Sequence, residues 1–218
     1  MIQTGKRARR RRARQSTAAP LALGACLLCL VLVFVWARSQ RPDGEGVTVP
    51  DDVTVDLLPV NEWSRPGQVL KDIRGVVIHY VGNPSTTAQA NRNYFASLAS
   101  GKEGTYASSH FIVGLEGEVI QCVPLTEIAY ASNSRNEDTV SIEVCHPDDT
   151  GEFSPATYRR CVELTAWLCR EFSLDPETEV IRHYDVTGKE CPRYYVAHPE
   201  AWEAFLQDVE EALSEDAS

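Results

Sequence analysis

The pattern of apolar and polar positions divides the chain into three parts. From Gln15 to Ala37 no residue is charged, and residues 21–36 are almost wholly apolar. A helix needs about 20 such residues to cross a bilayer core, and residues 18–37 meet that length. Residues 38–56 hold Arg38, Gln40, Arg41, Pro42, Gly44, Gly46 and Pro50 with no sustained period, the composition of a linker. Order is expected from about Asp52, with the main domain over residues 57–214.

Within that domain the pattern alternates between strands and helices. Residues 74–80 form a short β-branched run closed by Gly82-Asn83-Pro84, which predicts a buried strand. Residues 87–100 predict a helix with Ala88, Ala90, Tyr94, Phe95 and Leu98 turned inward. Residues 109–113 and 118–123 predict two strands joined by Gly114-Leu115-Glu116-Gly117, a hairpin signal. Residues 140–145 predict another strand, with Ile142 and Val144 on one side and Ser141, Glu143 and Cys145 on the other. Residues 155–172 give the clearest helix: Ser154 can cap it, Pro155 suits its first turn, and Val162, Thr165, Leu168, Cys169 and Phe172 form its stripe. A short strand over 179–182 and a last amphipathic helix over 199–213 complete the set. The mixture predicts an α/β domain, a single mixed β-sheet flanked by helices, preceded by one N-terminal transmembrane helix.

Charge sharpens the division. Lys6, Arg7, Arg9, Arg10, Arg11, Arg12 and Arg14 crowd the start, whereas every Asp and Glu lies at Asp43 or later. Residues 42–218 hold 12 Lys and Arg against 31 Asp and Glu, a net charge of −19. So acidic a body argues against nucleic acid, whose phosphates require basic groups. The basic head instead marks the cytoplasmic side of a membrane span. Residues 1–17 are then a cytoplasmic head, residues 18–37 a single-pass anchor in the cell membrane, and the domain is extracytoplasmic. A cleaved secretion signal is the competing reading, with small residues at Ala37-Arg38-Ser39, although the apolar run exceeds the usual 7–15 residues. A monomer is expected.

Seven cysteines form no small-domain disulfide framework, and Cys122, Cys145, Cys161 and Cys169 read as buried thiols. Cys191 stands apart. It follows His183 by eight residues in Arg182-His183-Tyr184-Asp185-Val186-Thr187-Gly188-Lys189-Glu190-Cys191-Pro192, where a loop would let both approach one metal. His79 closes the strand Val76-Val77-Ile78. Two histidines and a cysteine make a three-ligand zinc set, and catalytic zinc keeps three protein ligands and one open position. His110, Cys145, His146 and Asp185 are candidate fourth ligands for a closed structural site, but none has a familiar spacing. Glu143 either faces a cleft beside the metal or pairs with a cation. Lys189 adds a charge nearby, and Asp185 or backbone carbonyls could orient the histidines.

These motifs together resemble the type-2 N-acetylmuramoyl-L-alanine amidases, the zinc amidase fold shared with animal peptidoglycan recognition proteins. The resemblance runs from about Leu57 to Tyr195, through Val76-Val77-Ile78-His79-Tyr80, Ser108-Ser109-His110-Phe111-Ile112-Val113, Val140-Ser141-Ile142-Glu143-Val144 and the His183–Pro192 segment. It implies Zn2+ on His79, His183 and Cys191. It also implies cleavage of the amide between N-acetylmuramic acid and L-alanine of peptidoglycan, with Glu143 activating water and Lys189 assisting. Some members use a tyrosine just before the His110 position; here that residue is Ser109, so the role does not carry over. A non-catalytic, membrane-anchored peptidoglycan-binding module is the alternative to an enzyme; members that only bind typically lack the cysteine, which this chain has, and Glu143, Lys189 and Cys191 together argue against it. Asn133 and Asn136 are candidate stem-peptide contacts, and His110 either lines the cleft or packs.

Overall fold

The computed structural model describes residues 44–215. The expected head and membrane span lie outside these residues. Among the described residues no helix is long and apolar enough to cross a membrane.

Six strands form one sheet. They are β1 (Val53–Val55), β2 (Val76–Tyr80), β3 (Phe111–Val113), β4 (Val119–Gln121), β5 (Val140–Val144) and β6 (Val180–Arg182). Their order is β1-β4-β3-β5-β2-β6. Only β3 and β4 pair antiparallel, around the predicted hairpin; every other neighbouring pair is parallel. Parallel strands are covered on both faces, which explains why β2 and β5 read as nearly continuous apolar runs.

Two long helices cover one face. Helix α2 (Pro155–Phe172) starts on Ser154, whose Oγ accepts the Thr157 N–H at 3.2 Å, and ends on Ser173 in the left-handed conformation. It packs against α6 (Pro199–Glu215) on one side and against β2 and β3 on the other, in a cluster with Val76, Ile78, Phe111, Val113, Ile142 and Val144. The opposite face carries Ile112, Ile120 and Cys145 beneath α1 (Ala88–Ser97). Because strand side chains alternate, this second face also carries His79 and Glu143. Cys122, Cys145, Cys161 and Cys169 are buried free thiols.

The structure revises several expectations. Val53–Val55 pairs with β4, so the sheet begins inside the expected 38–56 linker; three residues are too few to show a period. On the 87–100 segment Ala88, Phe95 and Leu98 are buried as expected, Asn91 joins them, and Ala90 and Tyr94 are exposed. Asn91 turns inward because its amide donates to Thr86 Oγ1 and to the Thr87 carbonyl, both at 2.9 Å. Three short helices went unpredicted: α3 (Pro176–Glu179), α4 (His183–Thr187) and α5 (Arg193–Ala197).

Candidate functional site

The site forms where β5, β2 and β6 end side by side. The β2–β5 register places His79 opposite Glu143 on the same face. His183 follows β6 directly, as the first residue of α4. The one-turn helix forms because Asp185 Oδ2 accepts the Arg182 backbone N–H at 2.9 Å and Gly188, at φ +74°, closes the far end. The expected loop between His183 and Cys191 is therefore half helix. The chain then doubles back, and the Tyr184 N–H donates to the Cys191 carbonyl at 2.8 Å. That return brings Cys191 beside His183.

One ligand atom each from His79, His183 and Cys191 lies within 4.8 Å of the others, and all three residues are buried. Cys191 Sγ stands 3.9 Å from His79 Nδ1, and the two imidazoles are 4.5 Å apart between centroids. Glu143 Oε1 is 4.0 Å from the same His79 Nδ1. Among the described residues no fourth histidine, cysteine or carboxylate joins the group. His110, Cys145, His146 and Asp185 thus stand outside it.

Two consecutive loop residues, which no local pattern links to the histidines, orient them. His79 Nε2 lies 3.1 Å from Ser132 Oγ, and His183 Nε2 lies 3.3 Å from Asn133 Oδ1. For His79 the contact engages Nε2 and leaves Nδ1 facing Cys191 and Glu143, the outer support that fixes an imidazole ligand's tautomer. Asn133 adopts φ +52°, a conformation asparagine tolerates better than most residues. Asn136 holds the loop closed: its Oδ1 accepts the Ala131 and Ser132 N–H groups at 3.1 and 2.6 Å. Both asparagines expected at the stem peptide thus spend their side-chain oxygens inside the protein. Asp185, a candidate for orienting the histidines, instead binds the Arg182 guanidinium at 2.8 Å.

His110 does not reach the site. It is 1% exposed, its Nδ1 accepts the Ser141 N–H at 3.0 Å, and its Nε2 donates to the Glu127 carbonyl at 2.9 Å. With both nitrogens engaged, it has no atom left for substrate. Ser109 is fully buried, with Oγ 2.9 Å from the Ser141 carbonyl.

The electrostatics of the group suit a cation. Burial pushes the Cys191 thiol up to about 12, with the Glu143 charge adding to the effect and the Tyr80 N–H and Lys189 opposing it. Burial, then the charges of His183 and Lys189, hold His79 well below the ordinary histidine range; burial and Lys189 lower His183 as well. Neutral imidazoles and a thiol ready to ionise beside a metal form a zinc donor set. Burial also raises the Glu143 carboxyl to about 8, against the pull of Lys189. Its Oε2 is buried with no hydrogen-bond partner, which costs about 1–3 kcal/mol unless a ligand or water meets it. Lys189 is itself exposed, and its charge is felt by His79, Glu143, His183 and Cys191 alike.

A mixed α/β sheet carries, at adjoining strand ends, a His-His-Cys group that could hold a metal and the half-buried carboxylate of Glu143 beside it. The family profile described as N-acetylmuramoyl-L-alanine amidase matches residues 69–194, more than half of the chain. The chain belongs to that family. It is 31% identical to the N-acetylmuramoyl-L-alanine amidase BlyA of Bacillus subtilis (strain 168), across 74% of this chain and 47% of that protein. It is 27% identical to the amidase CwlH of the same strain, across 71% of this chain and 59% of that one. The chain thus spans about half the length of the relatives it matches. Among solved structures, the catalytic domain of XlyA superposes with a TM-score of 0.60 at 27% identity, covering 72% of this chain and 98% of that one. PlyL shares the fold, with a TM-score of 0.62 at 21% identity over 72% of this chain and 96% of that one.

Proposed function

We propose that this chain is a zinc-dependent amidase that hydrolyses the bond between N-acetylmuramic acid and L-alanine in peptidoglycan. The observation that carries the reading is the convergence of His79, His183 and Cys191 beside the unpartnered oxygen of Glu143. Family membership and the amidase names of its relatives support it. His79, His183 and Cys191 would hold the zinc, which supplies Lewis acidity and lowers the pKa of water near it.

Glu143 Oε2 takes a proton from the attacking water as its oxygen adds to the lactyl carbonyl carbon. A carboxyl whose proton affinity burial has raised can keep that proton until the C–N bond breaks. It then passes the proton to the departing L-alanine nitrogen. Lys189 supplies positive charge where the carbonyl oxygen becomes negative, a form of stabilisation that often dominates acyl-transfer catalysis. Ser132 and Asn133 keep both imidazoles in register throughout.

The same reading places residues 18–37 across the cell membrane, residues 1–17 in the cytoplasm and the domain outside, acting as a monomer on peptidoglycan and not on nucleic acid. The uncharged run behind a basic head supports this orientation. Residues 41–218 form a compact unit of their own, so they can be assayed alone. Incubated with zinc and purified peptidoglycan, they should release stem peptides beginning with L-alanine, detected by mass spectrometry and abolished by chelator. Binding without release would instead identify a recognition module. Protease treatment of intact cells should remove the domain; protection would overturn the orientation.

A further inference from the structure

Near the loop that supports His79, exposed Tyr106 and half-buried Trp63 and Tyr130 form an aromatic set that the amidase chemistry does not use. Tyr106 is 50% exposed and lies flat on Trp63, with centroids 4.6 Å apart and planes 27° from parallel. Tyr130 meets Tyr106 edge-on at 5.4 Å. Trp63 rests in turn on the core beneath α1. The outer face of Tyr106 is therefore open, and its inner face is fixed.

The mounting is rigid. Asn61 Oδ1 accepts the Trp63 and Ser64 N–H groups at 2.8 and 2.9 Å, shaping the turn that carries the indole. The Ala107 N–H donates to the Trp63 carbonyl at 3.2 Å, and the Ser108 N–H to the Tyr130 carbonyl at 3.0 Å. Gly101, at φ +67°, lets the neighbouring loop run against the indole; a Cβ there would lie 2.8 Å from Trp63 Nε1. Exposed loop aromatics held this firmly present a contact surface that loses little conformational entropy when a ligand binds.

Its location ties it to the site. Tyr130 precedes Ser132, the support of His79, by two residues, which span at most about 7 Å. A group bound at His79 continues onto the tyrosines if it is a chain. The flank includes Glu62, whose carboxylate accepts the Tyr106 hydroxyl at 3.1 Å, and the body carries a net −19. Polyanions are therefore disfavoured there. The apolar face of an uncharged sugar ring suits a flat aromatic surface. In the substrate proposed above, the lactyl carboxyl is held in the amide, so an uncut glycan strand offers such rings.

We propose that Tyr106, backed by Trp63 and edged by Tyr130, is a stacking platform for a neutral pyranose of the glycan strand next to the scissile muramoyl unit. The proposal rests on the peptidoglycan reading and extends it from the cut bond to the polymer. Hydrolysis leaves a free lactyl carboxylate on the sugar, which the acidic flank repels, so the platform favours uncut strands.

The test uses the full chain in detergent, with the uncharged tetramer of N-acetylglucosamine as probe. Titration should change the tryptophan fluorescence of the wild type and of Tyr106→Phe, and leave Tyr106→Ala unchanged. On intact peptidoglycan, Tyr106→Ala should raise KM about three- to tenfold, the scale of one aromatic stacking contact. On soluble N-acetylmuramoyl dipeptide, which lacks the neighbouring pyranose, the rise in KM should be smaller than on intact peptidoglycan. A wild type silent to the tetramer, or Tyr106→Ala with unaltered titration and KM, would overturn the platform. If the wild type releases no peptide from either substrate, the amidase reading fails, and the tetramer titration still decides whether the platform binds sugar.

Discussion

Replacing His110 by asparagine should change how stability depends on pH while leaving substrate affinity alone. Burial, partly offset by the Glu127 carbonyl and charge, lowers His110 to about 4 from an ordinary 6.5. A proton on Nδ1 would also face the Ser141 N–H, setting donor against donor. The unfolded histidine gains its proton near pH 6.5, whereas the folded one stays neutral down to about pH 4. Its contribution is therefore complete above pH 6.5 and is lost as pH falls toward 4. At about 1.4 kcal/mol per pH unit, the wild type should lose about 2.5 kcal/mol more than His110→Asn between pH 7.5 and 4.5. Urea unfolding at four pH values measures both lines, and the other titrating groups cancel in the comparison. The variant will be less stable at pH 7.5, because asparagine cannot reach the Glu127 carbonyl, but its KM should equal that of the wild type. Parallel stability lines would refute the argument, and a raised KM would restore His110 to the cleft.

Four further substitutions probe the site. Glu143→Gln should keep its metal, measured by elemental analysis, and lose about 10²–10⁴ in kcat; full activity would remove Glu143 from the mechanism. Ser132→Ala and Asn133→Ala should each weaken zinc by about 10–100-fold in chelator competition, and a shift under twofold in both would mean that the loop supports neither imidazole. Cys191→Ser should weaken zinc more than either of these, so tight stoichiometric zinc in that variant would show that the thiol is not a ligand.

His79, His183 and Cys191 drew attention in the sequence because each sits near an element boundary with a local mark, and the fold brings their side chains together. His79 ends a β-branched run, His183 follows another, and Cys191 precedes a proline. The 155–172 helix was legible to the residue, since its cap and its stripe agree. Ser132 carried no mark: a single loop serine acquires meaning only when the fold sets it against His79. Asn133 and Asn136 drew attention as polar loop residues, yet their roles depend on which atoms they face, and sequence does not encode that. The short helix that begins at His183 escaped because five residues complete the helical period barely once, too little to show a repeat. The position of Tyr106 over Trp63 joins segments 43 residues apart, beyond any local pattern.

Cys191 and His79 stand 112 residues apart in the chain, yet their ligand atoms meet at the ends of neighbouring elements. Bringing two points so distant together in a free chain costs about 4 kcal/mol in closure entropy. The parallel pairing of β2 with β5 and β6 meets that cost before any ion arrives. Activity is thus a late event in the life of each molecule. A nascent chain that has not yet delivered Cys191 has an incomplete donor set, and a nick that frees the segment after β6 dismantles the one it had. The topology itself delays the assembled site until the fold is complete.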